Sequence, residues 1–366
     1  MNPENCWLFL SLVAANSAGK TRGLLEKMEP EEILELRGKD LYDYEIGVDL
    51  KEINEFDRWR EPGAVAQIID EMEKKDIRFV ARNDPDFPEE LMNLQDVPIG
   101  IYVKGTLPAP QKPKVSVIGS RRCSAYGKEC AYFFGRELSK GGAEVVSGMA
   151  LGVDGYAGSG AMDGAGRTTA VLGGGVDLCY PAENLGLYRS ILDQGGCVIS
   201  EKPPGFPSRP FVFPRRNRLI SALGDCLAVI EAAERSGTRT TVEIALSLGK
   251  EIFAIPGRIG ERMSLGCNAL IKSGAHILTC PEDILQYLGL QVQKDTQKKP
   301  RVSLEPKEKA VWDLIGNEPV FVDDLMKKTG FPASAVLELL VRLEIKGLVR
   351  KEAMSGYVRV RLDKNL

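Results

Sequence analysis

Four arginines and two phenylalanines lie within twelve residues, 207–218 (PSRPFVFPRRNR), and no acidic residue lies among them. They are Arg209, Arg215, Arg216 and Arg218, with Phe211 and Phe213. Guanidinium groups pair with phosphate oxygens, and an unstacked base lies well against a phenyl ring. The segment therefore indicates a site for single-stranded nucleic acid. A solvated basic loop with two core phenylalanines is the alternative interpretation.

Four segments rich in glycine or serine each follow an apolar run. They are residues 119–122 (GSRR), 147–152 (SGMALG), 173–175 (GGG) and 236–241 (SGTRTT). Backbone N–H groups at the start of a helix favour anions such as phosphate. We therefore expect phosphate-binding turns that include Gly119, Ser147, Gly148, Gly173, Gly174, Ser236 and Gly237. The dinucleotide fingerprint GxGxxG is missing after the first of these runs, so NAD and FAD are not expected, and the sequence predicts no cofactor.

The apolar runs predict the sheet that must position these turns. They are residues 115–118, 144–147, 169–172, 197–200, 227–230 and 252–255, and stretches with helical spacing separate them. Such alternation predicts an α/β fold with a doubly wound, mainly parallel, Rossmann-like sheet covered on both faces. The turns that follow the strands then share one edge of the sheet.

The pattern divides the chain into four parts. Residues 1–65 predict an N-terminal domain of short helices with a break at residues 16–19, of the helix-hairpin-helix kind. Residues 66–290 form the extended Rossmann-like domain, and residues 291–306 are a polar, basic linker. Residues 307–366 predict a winged-helix domain, with a hairpin around Ser355-Gly356. The winged helix is expected to bind either DNA or protein, since its segment FPASAVLELLVRLEIKG (331–347) contains few basic residues.

Composition limits the classes of function. The formal net charge is −3, so contact with nucleic acid must rest on a local basic patch. Eight scattered cysteines without a CxxC pair predict neither a zinc site nor disulfides and suit a cytoplasmic protein. The single histidine, His276, lies in the apolar run AHIL and is expected in the core rather than in a catalytic or metal site. The N-terminal apolar run is too short to span a membrane.

Several motifs, taken in order, closely resemble the DNA-processing protein family DprA, also called Smf. They are VSVIGSRRCSAYG (115–127), VVSGMALGVDGYAGSGA (145–161), TTAVLGGGVDLCYPAEN (168–184), VISEKPPG (198–205), FPRRNRLISAL (213–223), VIEAAERSGTRTT (229–241) and IFAIPGRIGERMSLGCNALIKSGA (252–275). The resemblance implies a protein of natural transformation that binds incoming single-stranded DNA and loads the RecA recombinase onto it. It also implies a homodimer formed through the Rossmann-like domain, and no catalysis.

The resemblance also implies which residues bind DNA. It places the pocket at Ser120 and Arg121, next to Arg122, and in the segment that carries Arg209. Phe213 takes the position of the aromatic that contacts a base, and Asn217 and Arg218 match the family motif. We expect Arg121, Arg215 and Arg218 to neutralise successive phosphates, and Lys202, which replaces the usual tyrosine, to add a phosphate contact.

Two positions depart from the family pattern, and a second class of function stays open. Leu151 stands where the family commonly has arginine, and Gly158 stands where it has histidine. The alternative function is a nucleotide-binding sensor or a phosphoribohydrolase-like enzyme on the same sheet edge. Its candidate acid-base residues are Glu231 and Glu243, although a helix cap and a solvated helix face explain them equally well. Asp154 is expected to cap a helix.

Overall fold

The computed structural model describes residues 5–44, 50–234, 236–290, 304–316, 319–351 and 356–359. The chain divides into two compact units, Met1–Val292 and Gln293–Leu366. Most of the linker predicted at residues 291–306 lies outside the described residues, and a helix begins at Pro306. The boundaries predicted between domains stay predictions.

The apolar runs form neighbouring strands of one sheet in the first unit. Its described strands are β1 (Ile77–Ala81), β2 (Gly100–Gly105), β3 (Lys114–Ile118), β4 (Glu144–Ser147), β5 (Thr168–Val171), β6 (Cys197–Ser200), β7 (Cys226–Val229), β8 (Glu251–Ala254) and β9 (His276–Ile277). Their order is β1-β2-β6-β5-β4-β3-β7-β8-β9. Strands β3 to β9 are parallel, and β1 and β2 are antiparallel additions at one edge. The prediction of a mainly parallel sheet is confirmed.

Helices cover both faces of this sheet. They are α1 (Cys6–Leu25), α2 (Pro30–Ile33), α3 (Leu50–Arg60), α4 (Ala64–Lys74), α5 (Ala125–Lys140), α6 (Val153–Asp163), α7 (Leu185–Asp193), α8 (Val212–Leu223), α9 (Thr238–Ser247), α10 (Leu265–Lys272) and α11 (Pro281–Tyr287). Side chains of a strand alternate between the two faces. In β6, Val198 joins the core beneath α1 and α7, whereas Cys197 and Ile199 join the core beneath α8 and α9. Both faces are therefore apolar, which explains the nearly continuous apolar runs.

The N-terminal helices pack directly on the sheet. Phe9 of α1 meets Phe56 of α3 edge to face at 5.2 Å, and the Ser11 hydroxyl donates to the Tyr102 hydroxyl of β2 at 3.1 Å. Helix α1 continues through residues 16–19, so the predicted break there was wrong. One glycine inside a helix costs only about 1 kcal/mol, which burial of the flanking apolar residues offsets.

The second unit is a winged helix, as predicted. Its described elements are α12 (Pro306–Leu314), α13 (Val322–Thr329), α14 (Ala333–Ile345), and the antiparallel pair β10 (Val349–Lys351) and β11 (Tyr357–Arg359). Leu325 and Leu340 are fully buried between the helices. Of the predicted hairpin tip, Ser355 lies outside the described residues.

The position of His276 differs from the prediction. It lies in strand β9, but this is an edge strand and the side chain is exposed. Its ring stacks on Phe253 at 4.8 Å, and its Nε2 lies 2.9 Å from Oε2 of Glu251. Within the described residues, no group of three or more His, Cys, Asp or Glu side chains is placed to hold a metal ion, and no helix is both long and apolar enough to span a bilayer.

Candidate nucleic-acid interface

The predicted turns meet in one cleft at the carboxyl edge of the sheet. The cleft has a volume of about 590 Å³ and is lined by residues of the turns after β3, β4 and β7, together with the start of α8. Gly148 and Gly173 line a smaller adjoining pocket that shares Arg121 and Phe213. The strand order reverses between β3 and β7, and ligands of such sheets bind at that point.

Glycine allows the turns after β3 and β4 to pack backbone against backbone. Gly152 has a φ of 77°, and a Cβ there would lie 2.7 Å from the Arg121 carbonyl oxygen. Gly119 is also restricted, since its Cβ would meet Val153 Cγ2 at 2.6 Å. The Ser120 N–H donates to the Glu231 carbonyl at 2.8 Å. The turn that carries Arg121 is therefore fixed on two sides.

The two acidic residues of this edge hold backbone in place. The buried Glu231 carboxylate accepts the Ser124 N–H at 2.8 Å and the Ser124 hydroxyl at 2.5 Å, which fixes the start of α5. Asp154 does not cap a helix as expected, because Gly152 is the N-cap of α6. Its carboxylate instead accepts the Gly148 N–H at 3.1 Å and holds the turn after β4.

The Phe213 ring contacts both a cation and a second aromatic ring. The Arg121 guanidinium is 4.7 Å from the centre of the Phe213 ring, and the Tyr180 ring stacks on Phe213 at 5.7 Å with 26° between the planes. We call Arg121, Phe213 and Tyr180 the aromatic stack. Tyr180 is 48% exposed, so it offers an aromatic surface to solvent. Sequence reasoning did not single out Tyr180, because its position next to Pro181 is the only feature that distinguishes it in the sequence.

Arg216 is the buried cation of the site. It is 5% exposed, and one Nη donates to the Val171 carbonyl at 2.6 Å. A Cβ on Gly148 would lie 2.5 Å from Arg216 Cζ, so a larger residue there would displace the guanidinium group. Burial lowers the pKa of Arg216 to about 10, an effect that Asp154 opposes. Burial raises the pKa of Asp154, and Arg216 opposes that shift.

Sequence reasoning missed the special position of Arg216 among the arginines. Its spacing to Leu219, Ile220 and Leu223 is three, four and seven residues, which places all four side chains on one helical face. This helical spacing was the sequence signal that could have identified Arg216 as a buried arginine.

Four other arginines of the predicted site are exposed. They are Arg121, Arg122, Arg209 and Arg215, and none has an ion-pair partner among the described residues. Asn217 and Ser120 are partly buried and line the cleft with Ser236 and Gly237. The Ser120 hydroxyl accepts the Arg122 N–H at 3.0 Å. These side chains leave several positive charges open to an anionic ligand.

Four of the predicted residues pack within the protein. Arg218 is 6% exposed and pairs with the carboxylates of Glu201 and Asp96, the latter at 3.2 Å. Lys202 is also buried; its Nζ donates to the Ala15 carbonyl of α1. Helical and turn geometry directs both side chains inward, which argues against these two cations as phosphate contacts, and the contacts stay a prediction. The Ser147 hydroxyl is buried and donates to the Val117 carbonyl at 3.0 Å, while Gly174 packs against residues 206–208.

The two departures from the family pattern change the rim of the site. Leu151 is 42% exposed and adds an apolar side chain. Gly158 is buried in α6, and a Cβ there would lie 3.2 Å from Leu187 Cδ2. The Leu187 side chain of α7 thus fills the space beside Gly158.

Comparison with known proteins identifies the family. The family model described as DNA recombination-mediator protein A matches residues 78–289, and the DprA winged helix domain matches residues 295–353. Protein Smf of Escherichia coli is 35% identical over 297 residues, which cover 79% of this chain and 79% of that protein. The DNA processing protein DprA of Streptococcus pneumoniae is 38% identical over 202 residues, covering 55% of this chain and 71% of that protein.

Two solved structures agree with this assignment. DNA processing protein A from Streptococcus pneumoniae superposes with a TM-score of 0.64 and 32% identity, covering 76% of this chain and 95% of that one. A structure from Helicobacter pylori, described as showing a unique single-stranded DNA binding mode of DNA processing protein A, gives a TM-score of 0.52 and 30% identity, covering 58% and 95%. With its parallel sheet, glycine-rich edge and winged helix, the chain belongs to the DprA/Smf family of DNA-processing proteins.

Proposed function

We propose that this protein binds single-stranded DNA in the cleft at the carboxyl edge of its sheet, without catalysis. The observation that carries the proposal is the aromatic stack, which lies among exposed guanidinium groups at the meeting point of the turns. Phosphates and unpaired bases are the groups that this combination recognises. The single-stranded DNA binding described for the Helicobacter pylori relative supports the same ligand.

Each part of the strand has a partner in the cleft. Arg121 of the cleft and the exposed Arg215, which lies next to Pro214 of the cleft lining, pair with phosphates, and the N–H groups of the turns supply further donors. A base stacks on the open face of Tyr180, which Phe213 supports from behind. Since every base has an aromatic face, binding is largely independent of sequence. A duplex keeps its bases stacked on each other and is bound less tightly.

The positions of the glutamates argue against the phosphoribohydrolase alternative. Glu231 is buried, and its carboxylate already accepts two hydrogen bonds from Ser124. Glu243 lies on the exposed side of α9, where its carboxylate pairs with Arg239 at 2.8 Å. An acid-base residue must reach the bond that is cleaved, and neither carboxylate lines the cleft. Release of a free base from a nucleoside monophosphate would contradict the proposal.

Family membership supports a wider role in the cytoplasm. We propose that the protein loads RecA onto the bound strand, as in natural transformation, and acts as a homodimer through the sheet-containing unit. The edge strand β9 is a surface suited to that dimer, since Ile277 is 56% exposed there. Sedimentation of wild type and Ile277→Arg tests the dimer; an unchanged mass would place the interface elsewhere. Binding of RecA to the DNA complex, measured by co-sedimentation, tests the partnership.

The ligand is tested by fluorescence anisotropy of a labelled single strand and a duplex of equal length over a salt series. For wild type we expect preference for the single strand. Arg121→Gln should weaken binding and reduce the slope of log affinity against log salt by about 0.7, the value for one lost phosphate contact. The matched control is Lys112→Gln, because Lys112 is exposed just before β3, at the opposite sheet edge. Equal slopes for all three proteins would contradict the proposed site.

A further inference from the structure

A second basic groove lies beside the cleft, over the starts of α5 and α6. We call it the α5–α6 groove and define it by Arg121, Arg122, Lys128, Leu151 and Tyr156. Its volume is about 500 Å³. Of the residues that the sequence predicts to contact DNA, only the two arginines line it.

The groove and the cleft are adjacent. Arg121 lines both, since it projects from the turn after β3 that separates them. This turn is fixed by Gly152 and by the Glu231 carbonyl, as described above. A ligand that extends from the aromatic stack past Arg121 therefore enters the α5–α6 groove directly.

The chemistry of the groove repeats that of the cleft. The Tyr156 ring is 38% exposed, and Lys128 Nζ lies 5.6 Å from its centre. Arg122 and Lys128 are exposed, and neither has an ion-pair partner among the described residues. Glu183 is the single carboxylate among the residues that line the groove. An aromatic ring beside several cations again suits a base and its phosphates.

We propose that the α5–α6 groove is a second subsite for the same DNA strand, in which a base stacks on Tyr156 and the adjoining phosphates contact Arg122 and Lys128. The inference rests on the proposed function, since it extends the path of a strand held in the cleft. The strand runs from the aromatic stack, over Arg121, to Tyr156. A strand long enough to reach Tyr156 gains affinity that a shorter strand lacks.

The test compares a short strand of about 4 nucleotides with a longer one of about 12, within the range of site sizes for single-stranded DNA proteins. Affinities are measured by competition against a labelled strand for wild type, Tyr156→Ala, Tyr156→Phe and Phe213→Ala. Tyr156→Ala should weaken binding of the long strand about tenfold and leave the short strand unchanged. Tyr156→Phe, which keeps the ring, should bind both strands like wild type, and Phe213→Ala should weaken both.

The outcomes separate this inference from the proposed function. If Phe213→Ala weakens both strands and Tyr156→Ala weakens neither, the cleft binds DNA and the second subsite is wrong. If Tyr156→Ala weakened the binding of the short strand and of the long strand equally, the proposed order of the two subsites along the strand would also be wrong. If wild type binds neither strand, the proposed function fails first. Thermal unfolding of each variant checks that the fold is intact. For the Tyr156 variants we expect an intact fold, because this tyrosine is partly exposed.

Discussion

At the scale of single residues, the site rests on a buried positive charge beside a buried carboxyl. Arg216 and Asp154 are each less than a tenth exposed, and both hold backbone of the turns. A buried charge is costly unless another charge compensates it. The two side chains line the cleft and preserve its shape.

Replacing Arg216 tests this role. Arg216→Met should lower the free energy of unfolding by about 3 kcal/mol at neutral pH, because Asp154 is left without its compensating charge. The folded-state pKa of Asp154 is already raised above its ordinary value by burial, so the native state takes up a proton more readily than the unfolded chain. Stability of the variant should thus rise relative to wild type as the pH falls towards about 5.

Urea unfolding at both pH values measures this effect. The double variant Arg216→Met, Asp154→Asn should lose less than the sum of the two single changes, because neither charge is then left alone. Strict additivity would show that the two groups do not interact.

At the scale of elements, the start of α8 decides which arginines can meet a ligand. Phe211 is the N-cap and the helix begins at Val212, so Arg215 faces solvent while Arg216 and Arg218 face the core. The sequence predicted the strands and the glycine turns well, since their apolar runs are long and their turns are distinct. It did not predict which arginines face solvent and which face the core. The segment PSRPFVFPRRNR resembles a loop, and its helical periodicity can be recognised only once the first residue of the helix is known.

The contact between two turns at Gly152 is the second decisive element. Gly152→Ala forces a side chain into a left-handed conformation and against the backbone of residues 120 and 121. We expect a loss of about 2 kcal/mol in stability, and weaker single-strand binding as Arg121 is displaced. The control is Gly142→Ala, which also has a positive φ, of 93°, but whose Cβ would meet nothing within 4 Å. If both variants bind like wild type, the packing of these turns does not position Arg121.

At the scale of the whole molecule, a chain of net charge −3 places its proposed nucleic-acid contacts at one edge of one sheet. The third helix of the winged helix, α14, exposes the apolar side chains of Leu337, Val341 and Ile345, which are not groups that pair with phosphate. We therefore expect single-strand binding to be a property of the first compact unit.

Truncation after Val292 tests this assignment. The shortened chain should bind a single strand within about threefold of the full chain and with the same salt slope, because every proposed phosphate contact remains. Anisotropy of both proteins under one set of conditions measures it. A reduced slope in the truncated chain would place phosphate contacts in the winged helix.

The most direct test of the central claim is photocrosslinking of the full chain to a single strand that carries 5-iododeoxyuridine, followed by mass spectrometry of the crosslinked peptides. This base reacts with aromatic side chains that stack on it. Crosslinks are predicted at Tyr180 and Phe213, and Phe213→Ala with Tyr180→Ala should remove them. Crosslinks confined to the winged helix, or to the face opposite the glycine-rich edge, would contradict the proposed DNA site.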